Sequence, residues 1–294
     1  MDISVIIPVY KNRELFIKNL RHNLKFLEGC EIIIVNDDPL KSLDNDLKGL
    51  RKVILLENKK NLGFGQSINE GVKQAHNNYI MLLNSDVVLK NNSYKIALEY
   101  FKENQTLFAV SFAQKEKNGA IVGKNKIYWD KGFFHHCQAN NLAAGYNAWA
   151  EGGACIIDKE KFEKLGGFDP IYKPFYWEDI DLSYRAWKSG CQILFAPNIL
   201  VEHHHESTIG RYFSKRYIEQ IAFRNQLFFI WKNINNPTLI KNHLLNLFAY
   251  LRNPNFIVAF VKALIKIFKI LKARKNTLKK ASLSDNKILG YFVV

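Results

Sequence analysis

The chain has 294 residues, an apolar fraction of 48%, and 42 basic against 27 acidic side chains, a formal net charge of +15. This length suits one large domain or a domain with an appendage, and the apolar content supports a hydrophobic core. The charge is concentrated, because residues 237–294 hold 11 Lys or Arg and one acid. A nucleic-acid-binding protein would carry the excess on its main body, so we expect no nucleic-acid partner.

The cysteines and the N-terminus indicate a reducing compartment. Cys30, Cys137, Cys155 and Cys191 are far apart and form no CxxC pair, which argues against a disulfide or zinc framework. The N-terminus enters a predicted strand at once, without a basic segment followed by an apolar one. We therefore expect no signal peptide and a cytoplasmic location for the main body.

Short apolar strands alternate with amphipathic helices through the first 112 residues. Strands are predicted at residues 3–8, 31–35, 53–56, 79–83 and 107–112, and helices at residues 14–27, 64–75 and 93–101. Alternation with short connections indicates an α/β fold with a mostly parallel sheet and helices on both faces. Ligands of such folds bind beyond the carboxyl ends of strands, where polar clusters follow the first, second and fourth strands.

The middle of the chain changes character. Residues 113–150 show no clear periodicity, which predicts a long functional loop or a small irregular insertion. Regular elements then return, as a strand at residues 151–158, a helix at 159–165, a strand at 191–196 and a helix at 214–233.

Residues 236–294 are predicted to form a basic, amphipathic helical tail after a main domain at residues 1–235. Helices are expected at residues 238–251 and 256–271. In the second helix Lys262, Lys266 and Lys269 share one face, opposite an apolar face formed by Phe260, Leu264, Ile267, Phe268 and Leu271. The lysines interrupt this run well short of the roughly 20 apolar residues that a spanning helix needs. The pattern favours an anionic membrane surface as partner, and the alternative is packing on the body or on another protein.

Three acids, Glu178, Asp179 and Asp181, lie in the first turn of another predicted helix. They follow the aromatic run Phe175-Tyr176-Trp177. Acids at a helix N-terminus can simply compensate the helix dipole. The aromatic run instead favours the wall of a dry pocket, in which carboxylates are suited to catalysis.

Other polar groups follow the strands. Asp37 can accept hydrogen bonds from a nucleobase or a ribose, and Asn84-Ser85-Asp86 can hold a divalent cation that bridges phosphate oxygens; turn formation is the alternative for both. The glycines of residues 61–71 permit close backbone approach at a helix N-terminus that can face a diphosphate. Of His203, His204 and His205, one or two can face a metal or the diphosphate.

In this order the pieces resemble a family 2 glycosyltransferase of the GT-A fold, near the rhamnosyltransferase-like branch that acts on bacterial surface polysaccharides. The matching segments are VIIPVY at 5–10, IVNDD at 34–38, NLGFGQSINEG at 61–71, LLNSDV at 82–87, GGACIID at 152–158, LGGFD at 165–169 and WEDIDLSYR at 177–185.

The resemblance implies a role for each matching residue. The residues implied to bind the donor, a nucleoside-diphosphate sugar, are Pro8, Tyr10, Asp37, Asn61, Gly63, Asn69 and Asn84. Asp86 and His203 would bind a divalent metal, Mn²⁺ or Mg²⁺, and Asp179 would be the general base with Glu178 beside it. The residues implied to shape the acceptor side are Gly153, Phe168, Asp169 and Trp177. Two features depart from the family pattern: Asn84 stands where many members carry Asp, and Asp38-Pro39 replaces the usual Gly-Ser.

The expected function is that of an inverting hexosyl- or deoxyhexosyltransferase. It would move a sugar to a hydroxyl of a glycan, or of a lipid-linked glycan, on the inner face of the cytoplasmic membrane. One alternative is a sugar nucleotidyltransferase, for which Lys11-Asn12-Arg13 is a poor substitute for a Gly-rich, basic loop. The other is a non-catalytic nucleotide-sugar-binding protein at the membrane surface. The sequence does not determine the donor sugar, the nucleobase, the linkage or the oligomeric state.

Overall fold

The computed structural model describes residues 2–50, 53–203, 210 and 212–292. The strands are β1 (Ile3–Val9), β2 (Glu31–Asn36), β3 (Val53–Glu57), β4 (Tyr79–Leu83), β5 (Val87–Leu89), β6 (Leu107–Glu116), β7 (Ile121–Val122), β8 (Asn125–Asp130), β9 (Phe133–Gln138), β10 (Gly145–Tyr146), β11 (Ala154–Asp158) and β12 (Gln192–His203). The helices are α1 (Arg13–Asn23), α2 (Asp44–Leu47), α3 (Phe64–Gln74), α4 (Ala97–Glu103), α5 (Lys159–Leu165), α6 (Glu178–Lys188), α7 (Lys215–Asn233), α8 (Pro237–Tyr250), α9 (Pro254–Leu264), α10 (Ile267–Lys279) and α11 (Asp285–Gly290).

One large sheet organises the chain, in the order β10-β12-β6-β11-β4-β1-β2-β3. The pairs β1–β2, β1–β4, β2–β3 and β6–β12 are parallel, as the alternation of strands and helices predicts. β11 runs antiparallel between β4 and β6, so its first residue, Ala154, lies opposite Leu83 at the end of β4. The start of β11 therefore meets the carboxyl ends of β1, β2 and β4 at one edge.

Both faces of the sheet are covered. Along β1, Val5 and Ile7 belong to one buried apolar cluster and Ile6 to the other, as the two-residue period of a strand requires. Phe16 and Leu20 of α1 pack into the first cluster, whereas Ile68 and Val72 of α3 pack into the second. The continuous apolar runs of these strands reflect burial on both sides.

The segment predicted as a loop at residues 113–150 is more regular than expected. β6 extends to Glu116, and β8 and β9 pair as a separate antiparallel hairpin with Asp130 opposite Phe133. Phe133 and Phe134 are fully buried in the core that also contains Trp177 and Phe229. This segment is therefore a small β insertion whose aromatic side chains anchor it to the helices.

The C-terminal helices share the core of the main body. Phe256 and Ala263 of α9 and Ile270 of α10 are fully buried, and the ring of Phe256 lies 5.4 Å from that of Phe223 on α7. The second predicted helix is interrupted at residues 265–266, which separates α9 from α10. Among the described residues, no helix has the length and hydropathy needed to cross a membrane. The boundary at residues 235 and 236 stays a prediction.

Asp285 on α11 binds two side chains of α6 and so packs the C-terminal segment against the main domain. It is fully buried, accepts a hydrogen bond from the Tyr184 hydroxyl at 2.6 Å and lies 2.6 Å from Lys188 Nζ. The backbone N–H groups of Asn235 and Asn236 also donate to its second oxygen, each at 2.7 Å. These contacts position α11 against α6, the helix that carries the predicted base.

Candidate functional site

A pocket of about 510 Å³ opens where β1 and β2 end. Tyr10, Asp38 and Asn61 give it an aromatic ring and polar oxygens, and Lys11 and Arg13 add positive charge. A pocket of this size with an aromatic surface and a few polar groups suits a nucleoside, and the cations suit its phosphates. Tyr10 and Asn61 thus lie where the sequence predicts a donor pocket, while Pro8 lies inside β1 opposite Val35.

Asp37 is placed differently from the prediction. Its side chain is buried, and its carboxylate accepts hydrogen bonds from Asn58 Nδ2 at 2.8 Å, Leu62 N at 2.7 Å and Gly63 N at 2.8 Å. These three donors occupy both oxygens, so Asp37 fixes the loop before α3 and leaves the pocket lining to Asp38. Gly63 serves the same loop with φ of +81°, a conformation that favours glycine.

Asn69 and Phe168 hold two elements together instead of facing substrate. The Asn69 side chain donates to the Phe168 carbonyl at 2.8 Å and accepts from the Phe168 N–H at 2.9 Å. Phe168 is only 2% exposed, and its ring lies 5.9 Å from that of Phe64. A Cβ atom at Gly65 would come within 2.9 Å of the Phe168 Cβ, so glycine permits this close approach. In the structure these two residues join α3 to the turn after α5, and the donor contact of Asn69 and the acceptor contact of Phe168 stay predictions.

Asp86 and His203 meet at the same edge. Val87 pairs with His203 across β5 and β12, which brings His203 Nε2 to 3.3 Å from Asp86 Oδ1. A carboxylate oxygen and an imidazole nitrogen are suitable ligands for Mn²⁺, and carboxylate suits Mg²⁺. In the described segments, no group of three or more His, Cys, Asp or Glu side chains could hold a metal. The pair therefore fits a cation that takes its other ligands from water or substrate, and His204 and His205 lie outside the described residues.

Asn84 and Gly153 lie close to this pair. The Asn84 N–H donates to the Gly153 carbonyl at 2.9 Å, and a Cβ atom at Gly153 would come within 2.6 Å of Asn84 Nδ2. Glycine at residue 153 therefore leaves room for the Asn84 amide, two residues before Asp86. The structure places Gly153 at the predicted metal site and not on a separate acceptor wall.

A buried chain of hydrogen bonds orients His203. Its Nδ1 lies 2.6 Å from Gln114 Oε1, and Gln114 Nε2 donates to Glu151, which also accepts from Asn125 Nδ2 at 2.9 Å. Because a carboxylate can only accept, Glu151 holds the Gln114 amide with its oxygen toward His203. His203 Nδ1 must then carry the hydrogen, and Nε2 presents its lone pair toward Asp86, the arrangement that metal-binding histidines need.

Sequence reasoning missed Gln114 and Glu151. The predicted strand ended at Phe112, two residues before Gln114, and Glu151 appeared only as the first residue of a strand. The available signal was an amide in an apolar strand, since a fully buried glutamine requires polar partners.

Glu178 and Asp179 begin α6, after two residues with left-handed backbone conformation. Tyr176 and Trp177 have φ of 71° and 75°, which costs each about 1–3 kcal/mol of strain and is concentrated at functional sites. Burial, with the neighbouring charge of Asp179, raises the pKa of Glu178 to about 8. Burial also raises the pKa of Asp179 to about 7. The hydrogen bond from the Ile180 N–H lowers this pKa, and the charge of Glu151 raises it. A carboxylate that titrates near neutral pH is a stronger proton acceptor than an ordinary one.

Trp177 is 5% exposed and belongs to the core. Its ring lies 5.2 Å from that of Phe229 and 5.1 Å from that of His136, so Trp177 anchors the start of α6 in the core. Trp177 thus packs in the core, and its contact with the acceptor stays a prediction. Asp169 remains partly exposed, with its Oδ2 accepting from Lys232 Nζ at 2.6 Å.

Asp181 orders the helix that carries the base. It is fully buried and accepts hydrogen bonds from four side chains, at 2.8 to 2.9 Å, from Tyr172, Arg185, Lys232 and Asn233. Although burial opposes ionisation, Lys232 and Arg185 hold the pKa of Asp181 well below its usual range. The third acid thus orders the helix, and its lowered pKa contrasts with the raised pKa values of Glu178 and Asp179.

The chain is similar in sequence to known proteins. The family described as glycosyl transferase family 2 matches residues 4–166, and the family described as N-terminal domain of galactosyltransferase matches residues 134–212. The chain is 25% identical over 200 residues to poly-beta-1,6-N-acetyl-D-glucosamine synthase of Staphylococcus aureus strain COL, covering 66% of this chain and 48% of that protein. It is 26% identical over 190 residues to the Staphylococcus epidermidis enzyme of that name, covering 63% and 45%. The chain thus spans about half the length of these relatives.

The fold also matches solved structures. GalNAc-T7 with UDP, GalNAc and Mn²⁺ has a TM-score of 0.62 at 15% identity, over 92% of this chain and 57% of that one. S. aureus TarS 1–349 in complex with UDP-GlcNAc has a TM-score of 0.60 at 14% identity, over 99% and 91%. These likenesses establish the fold as GT-A. Because the family 2 match covers more than half of the residues, the chain belongs to glycosyl transferase family 2.

Proposed function

We propose that the protein transfers a sugar from a nucleoside-diphosphate sugar to a hydroxyl of a glycan acceptor in cell-surface polysaccharide synthesis, with inversion at the anomeric carbon. The observation that carries this proposal is the buried pair Glu178 and Asp179 in the first turn of α6, directly after two residues with left-handed backbone conformation. Burial raises the pKa of both carboxyl groups, which suits them to proton transfer. Membership of glycosyl transferase family 2 and the names of the relatives support the same reaction class.

The chemistry assigns one task to each part of the site. The pocket with Tyr10, Asp38 and Asn61 would bind the nucleoside. A divalent cation held by Asp86 and His203 would offset the negative charge on the departing diphosphate. Asp179 would accept the proton of the acceptor hydroxyl as its oxygen attacks the anomeric carbon, and general-base help of this kind is worth roughly 10²–10⁴-fold in rate. A single displacement of this kind inverts the anomeric centre.

A donor screen tests the proposal. Purified protein is incubated with Mn²⁺, a mixed glycan acceptor pool and separate UDP-, dTDP- and GDP-sugars, and released nucleotide is measured. We expect release with one nucleotide class, accompanied by a glycosylated product of inverted configuration. UDP-N-acetylglucosamine and hexose or deoxyhexose donors are the first to test, since S. aureus TarS is solved with UDP-GlcNAc. Tight nucleotide-sugar binding without turnover for every donor and acceptor would instead identify a binding protein.

We also propose that the protein lies on the inner face of the cytoplasmic membrane, as a peripheral protein. The C-terminal helices expose large apolar side chains, among them Phe248 (74%), Ile265 (73%) and Phe268 (84%). Lys266 and Lys269 are exposed in the same region, and apolar side chains beside lysines suit a surface of anionic lipid. Flotation with phosphatidylglycerol vesicles checks this: Phe248→Ser/Phe268→Ser should abolish binding, while the surface control Tyr128→Ser should not. Vesicle binding that survives the double substitution contradicts the proposal.

A further inference from the structure

A groove of about 580 Å³ lies between the turn before α6 and the C-terminal helices. Its lining contains five cations, drawn from separate parts of the chain: Lys173, Arg224, Lys262, Lys266 and Lys269. The acid on this lining is Asp169, whose Oδ2 already accepts from Lys232 Nζ at 2.6 Å. The groove therefore carries a strong excess of positive charge.

The groove cations have neutral partners. Arg224 donates to the Lys173 carbonyl at 2.6 Å, Lys173 Nζ donates to the Asn61 carbonyl at 2.6 Å, and Lys262 Nζ donates to Gln220 at 3.3 Å. Among the residues that the structure describes, no carboxylate lies within 4.0 Å of the charged nitrogens of these five side chains. Half-buried Arg224 lies 5.2 Å from the ring centroid of Phe228. Because a partly buried guanidinium is normally paired with an anion, the lining indicates an anionic ligand.

The position of the groove relates it to the reaction. Asp169, Pro170 and Lys173 also line a small neighbouring cavity that reaches Glu178. On its other side the groove is bordered by Ile265, which is 73% exposed. An anionic group in this groove would therefore sit between Glu178, at the start of α6, and the apolar surface of the C-terminal helices.

We propose that the groove binds the phosphate or diphosphate of a lipid-linked acceptor. Arginine and lysine side chains are the usual partners of phosphate oxygens. Ile265, which borders the groove and is 73% exposed, would contact the first apolar carbons of the lipid. The sugar attached to the phosphate would extend toward the start of α6. This inference rests on the proposed function, and it names the class of acceptor that the enzyme would use.

A pair of double variants tests the groove. Lys266→Glu/Lys269→Glu changes two lining residues, at the N-cap and in the first turn of α10. Lys272→Glu/Lys275→Glu changes two exposed residues further along α10, outside the groove. Both variants alter the net charge equally, so a general electrostatic effect would affect them alike. The probe is geranyl diphosphate, titrated into the full-length protein by calorimetry without added metal. Inorganic diphosphate and vesicles of phosphatidylglycerol in phosphatidylcholine are the parallel arms.

We expect the Kd for geranyl diphosphate to rise about tenfold or more in the groove variant and less than about twofold in the control. Equal weakening in both variants, or no weakening in either, overturns the proposal. So does a groove variant that loses vesicle binding but keeps its affinity for geranyl diphosphate, because the cations would then serve bulk lipid. Weaker binding of inorganic diphosphate than of geranyl diphosphate supports a lipid-linked ligand, and equal binding overturns that part.

A donor-side measurement separates this inference from the proposed function. Hydrolysis of the nucleotide sugar without acceptor uses the donor pocket and the metal pair, which the groove variant leaves intact. We expect both double variants to retain this hydrolysis. If the unmodified protein releases nucleotide from no nucleotide sugar even with the mixed acceptor pool, the proposed function fails, whereas selective loss of geranyl diphosphate binding in the groove variant would still support an anion site.

Discussion

Gln114 contacts the predicted metal ligand His203 and not the metal itself, and replacing Gln114 should still weaken metal binding. Gln114→Leu removes the acceptor of the His203 Nδ1 hydrogen while keeping a side chain of similar size. His203 could then carry its hydrogen on Nε2, which faces Asp86 at 3.3 Å and would no longer offer a lone pair to the metal. Loss of such an outer-shell partner typically costs 10–100-fold in metal affinity, or about 1.4–2.7 kcal/mol.

The same substitution has a separate cost in stability. It leaves Glu151 without the donor Gln114 Nε2, although Asn125 still donates to its other oxygen at 2.9 Å. An incompletely satisfied buried group costs about 1–3 kcal/mol, so the unfolding midpoint should fall while the fold is retained. Glu151→Gln should have a smaller effect on metal, because Gln114 is then free to adopt either orientation.

The assay is Mn²⁺ binding, measured by electron paramagnetic resonance or calorimetry on protein shown to be folded by circular dichroism. Gln138→Leu on β9 is the matched control, because Gln138 donates to the Ile121 carbonyl on the surface and contacts neither His203 nor Glu151. We expect the control to bind Mn²⁺ within about twofold of the unmodified protein. Folded Gln114→Leu protein with unaltered Mn²⁺ affinity would refute the assigned orientation of His203.

Three further predictions follow from the site. Asp86→Ala should abolish the dependence of nucleotide-sugar binding on Mn²⁺ in calorimetry, whereas retained dependence would place the metal elsewhere. The kcat/KM should rise with pH and level off above about 7. Asp179 must lose its proton to act as base, and burial raises its pKa to about 7. A flat profile from about pH 5 to 8 would contradict this role. Asp181→Asn should lower the free energy of unfolding, measured with denaturant, by about 3–5 kcal/mol, because it breaks buried ion pairs with Lys232 and Arg185. The control Asp130→Asn, on the surface, should leave the free energy of unfolding unaltered.

The sequence predicts the main sheet because strands that are buried on both faces consist of continuous runs of apolar residues. The continuous apolar runs of β1, β2 and β4 can be satisfied only by burial on both faces, and the polar residues after them mark one edge. Asp86 and His203 were predicted at that edge from the resemblance, and the pairing of Val87 with His203 brings them together.

The sequence does not predict the direction of side chains that depends on tertiary contacts. Asp37 and Asp38 are adjacent, and only the position of the loop at residues 58–63 decides that the first is buried and the second lines the pocket. The aromatic run before the acids predicts that Trp177 belongs to a pocket wall, and the family resemblance implies an acceptor-side role for Phe168. An aromatic residue beside an acid has the same local pattern whether its ring faces a ligand or, as here, packs in the core.

The β insertion and the C-terminal helices show a second limit. Phe133 and Phe134 are adjacent on β9 and both are buried, which breaks the alternation by which a strand is predicted. The C-terminal helices have apolar residues on more than one side, so periodicity alone could not separate Ile270, which is buried, from Phe268, which is 84% exposed. Phe223 on α7, which packs against Phe256, lies 33 residues earlier in the chain, and contacts of this kind decide which side of the C-terminal helices is covered.

The turnover of Asp179→Asn tests the central claim most directly. The substitution removes the proton acceptor but keeps the size of the side chain, so donor and Mn²⁺ binding measured by calorimetry should match those of the unmodified protein. The turnover number, measured as nucleotide released with acceptor present, should fall by about 10²–10⁴-fold. A folded variant with turnover near that of the unmodified protein would contradict the assignment of Asp179 as the base.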